Sequence, residues 1–167
     1  MNISTTPRIS WIIFGIATSL TLASFYFDAV MDLEPCPLCL LQRTAVILIA
    51  ITALCCMLHR PQQRGQRIYA MILASFSLFG LFIAGKQVWL QSLPADAAMN
   101  MACAPSLEYM LANLSVEDTI TQLFTATGHC ADVEWQFLSL SMPGWMVIWF
   151  SVLLGMSAAV WLRSREQ

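Results

Sequence analysis

Charge is scarce in this chain: Asp, Glu, Lys and Arg together make up 11% of its 167 residues, where a soluble globular domain carries about 25%. That shortage excludes an ordinary water-facing surface. Basic residues are few, eight Lys and Arg against ten acids for a net charge of −2, so no broad basic patch for a nucleic-acid backbone can be assembled. Nucleic acid is not an expected partner. The chain also lacks an internal repeat, a low-complexity tract or any break in composition that would mark a second domain, and residues 1–167 are expected to form one membrane domain.

Apolar residues fill the space that charge leaves, with 58% of the chain hydrophobic and a mean hydropathy of +0.67. Crossing a hydrocarbon core about 30 Å thick takes about 20 mostly apolar residues in a helix. Four stretches meet or approach that length, at about 9–27, 40–58, 68–85 and 143–162. The first follows Arg8 and contains the small residues Ala23 and Ser24, as a secretory signal would. It outlasts a typical signal core, however, and ends in Phe25, Tyr26 and Phe27, an aromatic group suited to the membrane interface. It is therefore expected to be a retained span. The fold class that follows is an all-α membrane protein, a four-transmembrane-helix bundle.

Lys and Arg accumulate near span ends on the cytoplasmic side. Arg8, Arg60, Arg64, Arg67, Arg163 and Arg165 fall on one side of the four spans, and only Arg43 and Lys86 on the other. Nine of the ten acids, all but Glu166, share the side of Arg43 and Lys86. Both termini are thus expected in the cytoplasm, with two outer loops at about 28–39 and 86–142. In the long loop Leu107, Met110, Leu111 and Leu114 recur at helical spacing. So do Val116, Ile120, Leu123 and Phe124, behind a Ser115/Asp118 pair that resembles a capping box. Short helices lying flat on the bilayer and a small external cap are both compatible with that pattern.

The six cysteines divide by location. Cys36, Cys39, Cys103 and Cys130 fall in or beside the outer loops, and Cys55 and Cys56 inside the second span. Outside a bacterial inner membrane thiols are normally oxidised, and the spacing invites two pairs, Cys36 with Cys39 and Cys103 with Cys130. For the second pair a structural staple and a functional disulfide both stand. As a staple the first pair is poor, because loop-closure stabilisation shrinks with loop length, whereas Cys-x-x-Cys lets one thiol expel its neighbour in exchange. A structural zinc site usually repeats a close pair of cysteines, and the second pair here is widely spread. No metal is expected. Cys55 and Cys56, some four turns below the outer surface, read as small hydrophobes.

The surroundings of the first pair are Pro35-Cys36-Pro37-Leu38-Cys39-Leu40-Leu41-Gln42-Arg43. Cys39 stands at the N-terminal end of the second span, where unsatisfied amides and the helix dipole favour an anion. Arg43 follows one turn later, and since helical side chains lean towards the N-terminus, its guanidinium is expected to reach back over Cys39. Both effects would stabilise a thiolate. The alternative role for Arg43 is anchoring to lipid headgroups.

In these features the chain resembles the DsbB family, membrane quinone reductases that reoxidise the periplasmic thiol oxidant DsbA. The likeness spans the four hydrophobic stretches, Cys36-Pro37-Leu38-Cys39 with Arg43, the long loop with Cys103 and Cys130, and the closing run from Cys130-Ala131 through Trp135, Phe137-Leu138 and Leu140 to Met142-Pro143-Gly144-Trp145. It departs in two places. Gln87, in Gly85-Lys86-Gln87-Val88-Trp89-Leu90-Gln91, stands where relatives often carry His, and Ser139 where Gly is common. Gln87 and Gln91 share a helix face at i,i+4 spacing; either they cap the span at the interface or they contact quinone.

The resemblance implies an inner-membrane protein-dithiol:quinone oxidoreductase that uses ubiquinone or menaquinone and serves a DsbA-like partner. It also implies an order of exchange: partner to Cys103, Cys130 to Cys36, and Cys39 as the thiolate that faces the quinone beside Arg43. Two other readings share the sequence pattern, a sister oxidase with a different dedicated partner and a non-catalytic membrane scaffold stapled by disulfides.

Overall fold

The computed structural model describes residues 5–31, 36–93, 113, 115, 117–118 and 135–166. Four long helices dominate: α1 (Thr5–Met31), α2 (Pro37–His59), α3 (Gln63–Gln91) and α4 (Met142–Glu166), with a two-stranded hairpin, β1 (Gln136–Phe137) and β2 (Leu140–Ser141), just before α4. All four are long and apolar enough to cross a membrane. The shortest, α2, has 23 residues and at 1.5 Å per residue reaches roughly 35 Å, longer than the hydrocarbon core is thick. The chain is a multi-pass membrane protein built as a four-helix bundle.

Each helix overlies one apolar stretch and runs past it, because hydropathy locates the lipid-facing residues while capping sets the ends. Cys36 is the N-cap of α2, with extended backbone at φ −66° and ψ 158°, and Pro37 follows at the first helical position. Proline is suited to that place: its φ is already helical and its missing N–H would have had no partner. At the other end Arg60 adopts the left-handed conformation, φ 43°, and its N–H closes on the Cys56 carbonyl. Three residues, 60–62, then turn the chain into α3. The helix extensions have a functional consequence. Asp28 lies on the last turns of α1, and Lys86, Gln87 and Gln91 on the last turns of α3, not in loops.

Packing is closest between α3 and α4, followed by α1 with α2 and α2 with α3. Small side chains allow the helices to approach, among them Ala17 of α1, Ala45 and Ala53 of α2 and Ala84 of α3, around the buried Ile13, Ile49, Leu73 and Phe150. At Gly80 the ring of Phe150 occupies the space that a Cβ would need. Many large apolar side chains face outwards, including Trp11, Leu22, Phe82 and Leu162. In water this would be a liability; in a bilayer it is the lipid contact. Ser77 and Ser157 are buried, and each returns its hydroxyl to the carbonyl four residues back, at 2.8 Å, so neither leaves a polar group unsatisfied in hydrocarbon.

The hairpin pairs Gln136 with Ser141 and Phe137 with Leu140. Its turn residues Leu138 and Ser139 both have positive φ, 52° and 63°, as a two-residue turn matched to strand twist requires. Glycine is the residue such a position favours, so Ser139 holds it at a backbone cost. In the long connection Ser115 and Asp118 do form a cap. The Asp118 N–H donates to Ser115 Oγ at 3.2 Å, but the return contact differs from a capping box, with the Ser115 hydroxyl donating to the carboxylate at 2.6 Å. The apolar repeats around it, with Cys103 and Cys130, lie outside the described residues.

Candidate active site

The site is built at the end of the bundle where α1 and α3 finish and α2 begins. Cys36 Sγ takes the place of the usual capping oxygen and accepts the Cys39 N–H at 3.3 Å, while Leu40 N–H donates to the Cys36 carbonyl at 3.1 Å. The helix terminus therefore acts first on the Cys36 sulfur, three residues before where dipole reasoning on Cys39 alone would put it. Both cysteines are half-buried, with their sulfurs in contact at 2.6 Å. Closing a disulfide between them needs no backbone rearrangement. Beneath them Leu38, Ile83 and Leu90 form a small buried cluster on which Cys36 and Leu41 pack.

Polar contact with the sulfurs comes from α3. Gln87, only 3% exposed, donates through Nε2 to Cys39 Sγ at 3.3 Å and to Cys36 Sγ at 3.4 Å. Its Oε1 is 3.8 Å from Cys39 Sγ, within reach of the thiol proton, and accepts a 2.6 Å hydrogen bond from Nε2 of Gln42, itself 4% exposed. An interfacial cap would be exposed and bonded to helix carbonyls. Gln87 is neither, and the end of α3 is closed instead by Ser92, whose N–H bonds to the carbonyls of Val88 and Trp89. Gln91 sits one turn further on and is half-buried.

Arg43 is arranged differently from the expectation that it reaches back over Cys39. Its guanidinium runs to α1, where Nη1 pairs with Asp28 Oδ2 at 2.6 Å, Nη2 donates to the Ser24 carbonyl at 3.4 Å, and the Phe25 ring lies 4.8 Å away in a cation–π contact. The reason is electrostatic. An acid on the facing helix end is a stronger attractor for a partly buried guanidinium than a thiol is. One donor is left over: Arg43 Nε is buried and has no hydrogen-bond partner among the described residues.

Above this corner an aromatic run ties the hairpin to α1 and α4. Phe27 and Trp135 lie 5.1 Å apart between ring centres, Trp135 stacks on Phe137 at 6.0 Å, and Trp145 Nε1 donates to the Phe137 carbonyl at 3.2 Å.

The family model for disulfide bond formation protein DsbB matches residues 7–160 of the chain. This chain belongs to the DsbB family. Among its relatives, disulfide bond formation protein B of Marinobacter nauticus is 42% identical over 152 residues, covering 91% of this chain and 89% of that one. The Hahella chejuensis protein of the same name is 44% identical over 140 residues, 84% of each chain. Disulfide bond formation protein B 1 of Pseudomonas aeruginosa is 39% identical over 140 residues, 84% of this chain and 85% of its own. As a DsbB-family member the chain is a disulfide-generating membrane oxidoreductase.

Set against the sequence, the structure brings Cys36, Cys39, Gln87 and Arg43 to one corner. Cys103 and Cys130 lie outside the described residues. Cys55 and Cys56 are at the opposite end of α2, where Cys56 is buried 3.8 Å from Ser10 Oγ. Two residues of the corner carry no expectation from sequence, Gln42 and Asp28. Each had a visible sign. Gln42 is three residues from Cys39, on the same helix face, and amide side chains are rare in an apolar run; Asp28 is an acid at the outer end of an otherwise apolar helix.

Proposed function

We propose that this DsbB-family protein sits in the bacterial inner membrane with both termini cytoplasmic, and passes electrons from a periplasmic DsbA-like thiol oxidase to a membrane quinone. The observation that carries the proposal is the Cys36–Cys39 pair, two sulfurs in contact at a helix N-terminus at the level where a lipid-soluble acceptor can reach them. Soluble dithiol and membrane acceptor then meet at one protein surface.

A reduced partner thiolate attacks the sulfur of Cys103 in a Cys103–Cys130 disulfide and releases Cys130 as thiolate; the partner's second thiolate resolves the mixed disulfide and leaves oxidised partner with reduced Cys103. Cys130 attacks Cys36 of the Cys36–Cys39 disulfide and frees Cys39. Cys103 then displaces Cys36 from Cys130, so that the outer disulfide is restored and both Cys36 and Cys39 are reduced. Re-forming the inner disulfide releases two electrons and two protons.

The residues at the corner suit a quinone, ubiquinone or menaquinone, because the unpartnered, buried Arg43 Nε offers a donor one turn from Cys39. Arg43, with Gln87 and Gln91 on the facing helix, would hold it. Bound there, a quinone supplies a two-electron, two-proton acceptor. Arg43 orients it, and its pairing with Asp28 fixes the guanidinium plane.

The test is quinone reduction by the detergent-solubilised protein supplied with reduced DsbA-like partner. Turnover is expected for the wild type and for the joint Cys55→Ser/Cys56→Ser variant, and no steady turnover when Cys36, Cys39, Cys103 or Cys130 is replaced by Ser. A partner lacking its resolving cysteine should accumulate as a mixed disulfide with Cys103 in the protein that keeps the Cys103–Cys130 disulfide, and not in Cys103→Ser. Disulfides that resist mild thiol and are not reformed by quinone would make the chain a stapled scaffold.

A further inference from the structure

Two glutamine side chains buried together in an apolar bundle require a reason. An amide without partners is costly in such a place, and helices are held together in lipid by apolar packing without it. Gln42 and Gln87 satisfy one another across α2 and α3, at 2.6 Å, and the bond has a direction. Because Gln42 Nε2 donates to Gln87 Oε1, the amide plane of Gln87 is fixed with its own NH2 group towards the sulfurs, 3.3 and 3.4 Å away.

We propose that Gln42 and Gln87 form a positioning pair for the redox dithiol, Gln87 donating to the Cys39 and Cys36 sulfurs and Gln42 locking its amide so that the donor, not the carbonyl, is presented. The inference rests on Cys36 and Cys39 being the redox pair. A thiolate can only accept, so it is stabilised by Nε2; a thiol can donate, and finds Oε1 of the same amide at 3.8 Å. One side chain thereby serves both protonation states. An amide does not titrate, so this support is the same at every working pH, unlike that of an imidazole, whose charge changes near pH 6.5. Among the described residues the other charged groups near this end of the bundle are Arg43 and Asp28, paired to each other, and Lys86, adjacent to Gln87 on α3; the described first turn of α4 carries none.

The experiment measures alkylation of Cys39 against pH in full-length protein, reduced and lacking the other cysteines, alongside partner-dependent quinone reduction in the same substitutions made with all cysteines present. Gln87→Met is expected to slow Cys39 alkylation at neutral pH about tenfold, the worth of one hydrogen bond to a charged group. Gln42 has no sulfur contact of its own to lose, yet Gln42→Met should slow alkylation several-fold when Gln87 is present and have no further effect in Gln87→Met. Gln87→His should add a second titration to the alkylation profile, in the imidazole range. A general packing defect would instead lower thermal stability without coupling the two sites or adding a titration. Additive effects, or unchanged alkylation in Gln87→Met, overturn the pair. If wild type shows no quinone reduction while alkylation responds as stated, the electron-transfer reading fails and the pairing stands.

Discussion

Arg43 and Asp28 show how far a single residue's role depends on its neighbour. A free guanidinium would lend a full positive charge to Cys39. With Asp28 Oδ2 at 2.6 Å, the two charges largely cancel at a distance, and what Arg43 retains is a fixed fork of donors. Its contribution is therefore geometric more than electrostatic, a distinction that substitution can separate. Arg43→Lys keeps the charge but loses the planar fork, and is expected to retain part of the activity with weaker apparent quinone affinity, while Arg43→Met loses most of it. Asp28→Asn removes the neutralising charge and frees the guanidinium, so it should raise the quinone KM several-fold without slowing Cys39 alkylation. Steady-state quinone titrations and alkylation rates on the same preparations check both; a slowed alkylation in Asp28→Asn would show that the pair acts on the sulfur after all.

The corner that holds Cys36 and Cys39 is only as well placed as the elements that carry it. Cys36 and Cys39 ride on the cap and first turn of α2, Gln87 on the last turns of α3, and α3 in turn is seated mainly against α4. That seat is tightest at Gly80, where the fully buried Phe150 ring lies against the helix backbone. Gly80→Ala gains helix propensity, worth about 1 kcal/mol, but forces an overpacked contact that costs about 1–3 kcal/mol. The ring has no exposed side to retreat to, so the loss should win. A lower thermal midpoint in detergent is expected for Gly80→Ala, restored in part by adding Phe150→Leu. Equal midpoints for Gly80→Ala and wild type would mean that α3 and α4 shift apart freely.

For the whole molecule, orientation is the property on which the exchange route depends. Arg60, which caps α2, and Arg64 and Arg67 in the first turns of α3 cluster at the opposite end of the bundle from Cys36 and Cys39, and Arg163 lies in the last turns of α4 on that same end. Arg67 is partly engaged there, donating through Nε and Nη2 to the Ser164 carbonyl at 3.2 and 2.9 Å. The one-sided Arg distribution predicts that impermeant reagents label a cysteine introduced between Arg60 and Arg67 only after the membrane is opened from the cytoplasmic side, and reach one introduced near Leu93 from outside. Outside labelling of the Arg60–Arg67 segment would invert the topology and leave the dithiol without access to a periplasmic partner.

Composition and spacing by themselves determined the solvent and the number of spans, and singled out the Cys36–Cys39 pair as a candidate. Hydropathy is a sum over neighbours in the chain, and a Cys-x-x-Cys at the start of a helix is a local object; both can be evaluated without knowing what packs where. The helix ends ran beyond the apolar stretches because capping by Cys36, Pro37 and Arg60 is a matter of backbone hydrogen bonds and not of hydropathy. Only the tertiary structure decided which polar groups meet the sulfurs. Gln87 is 48 residues from Cys39 in sequence, and Asp28 competes for Arg43 from another helix. No local rule ranks a carboxylate on α1 against a thiol on α2 as the partner of one guanidinium, because the outcome is fixed by interhelical distance and burial, which exist only once the bundle has closed.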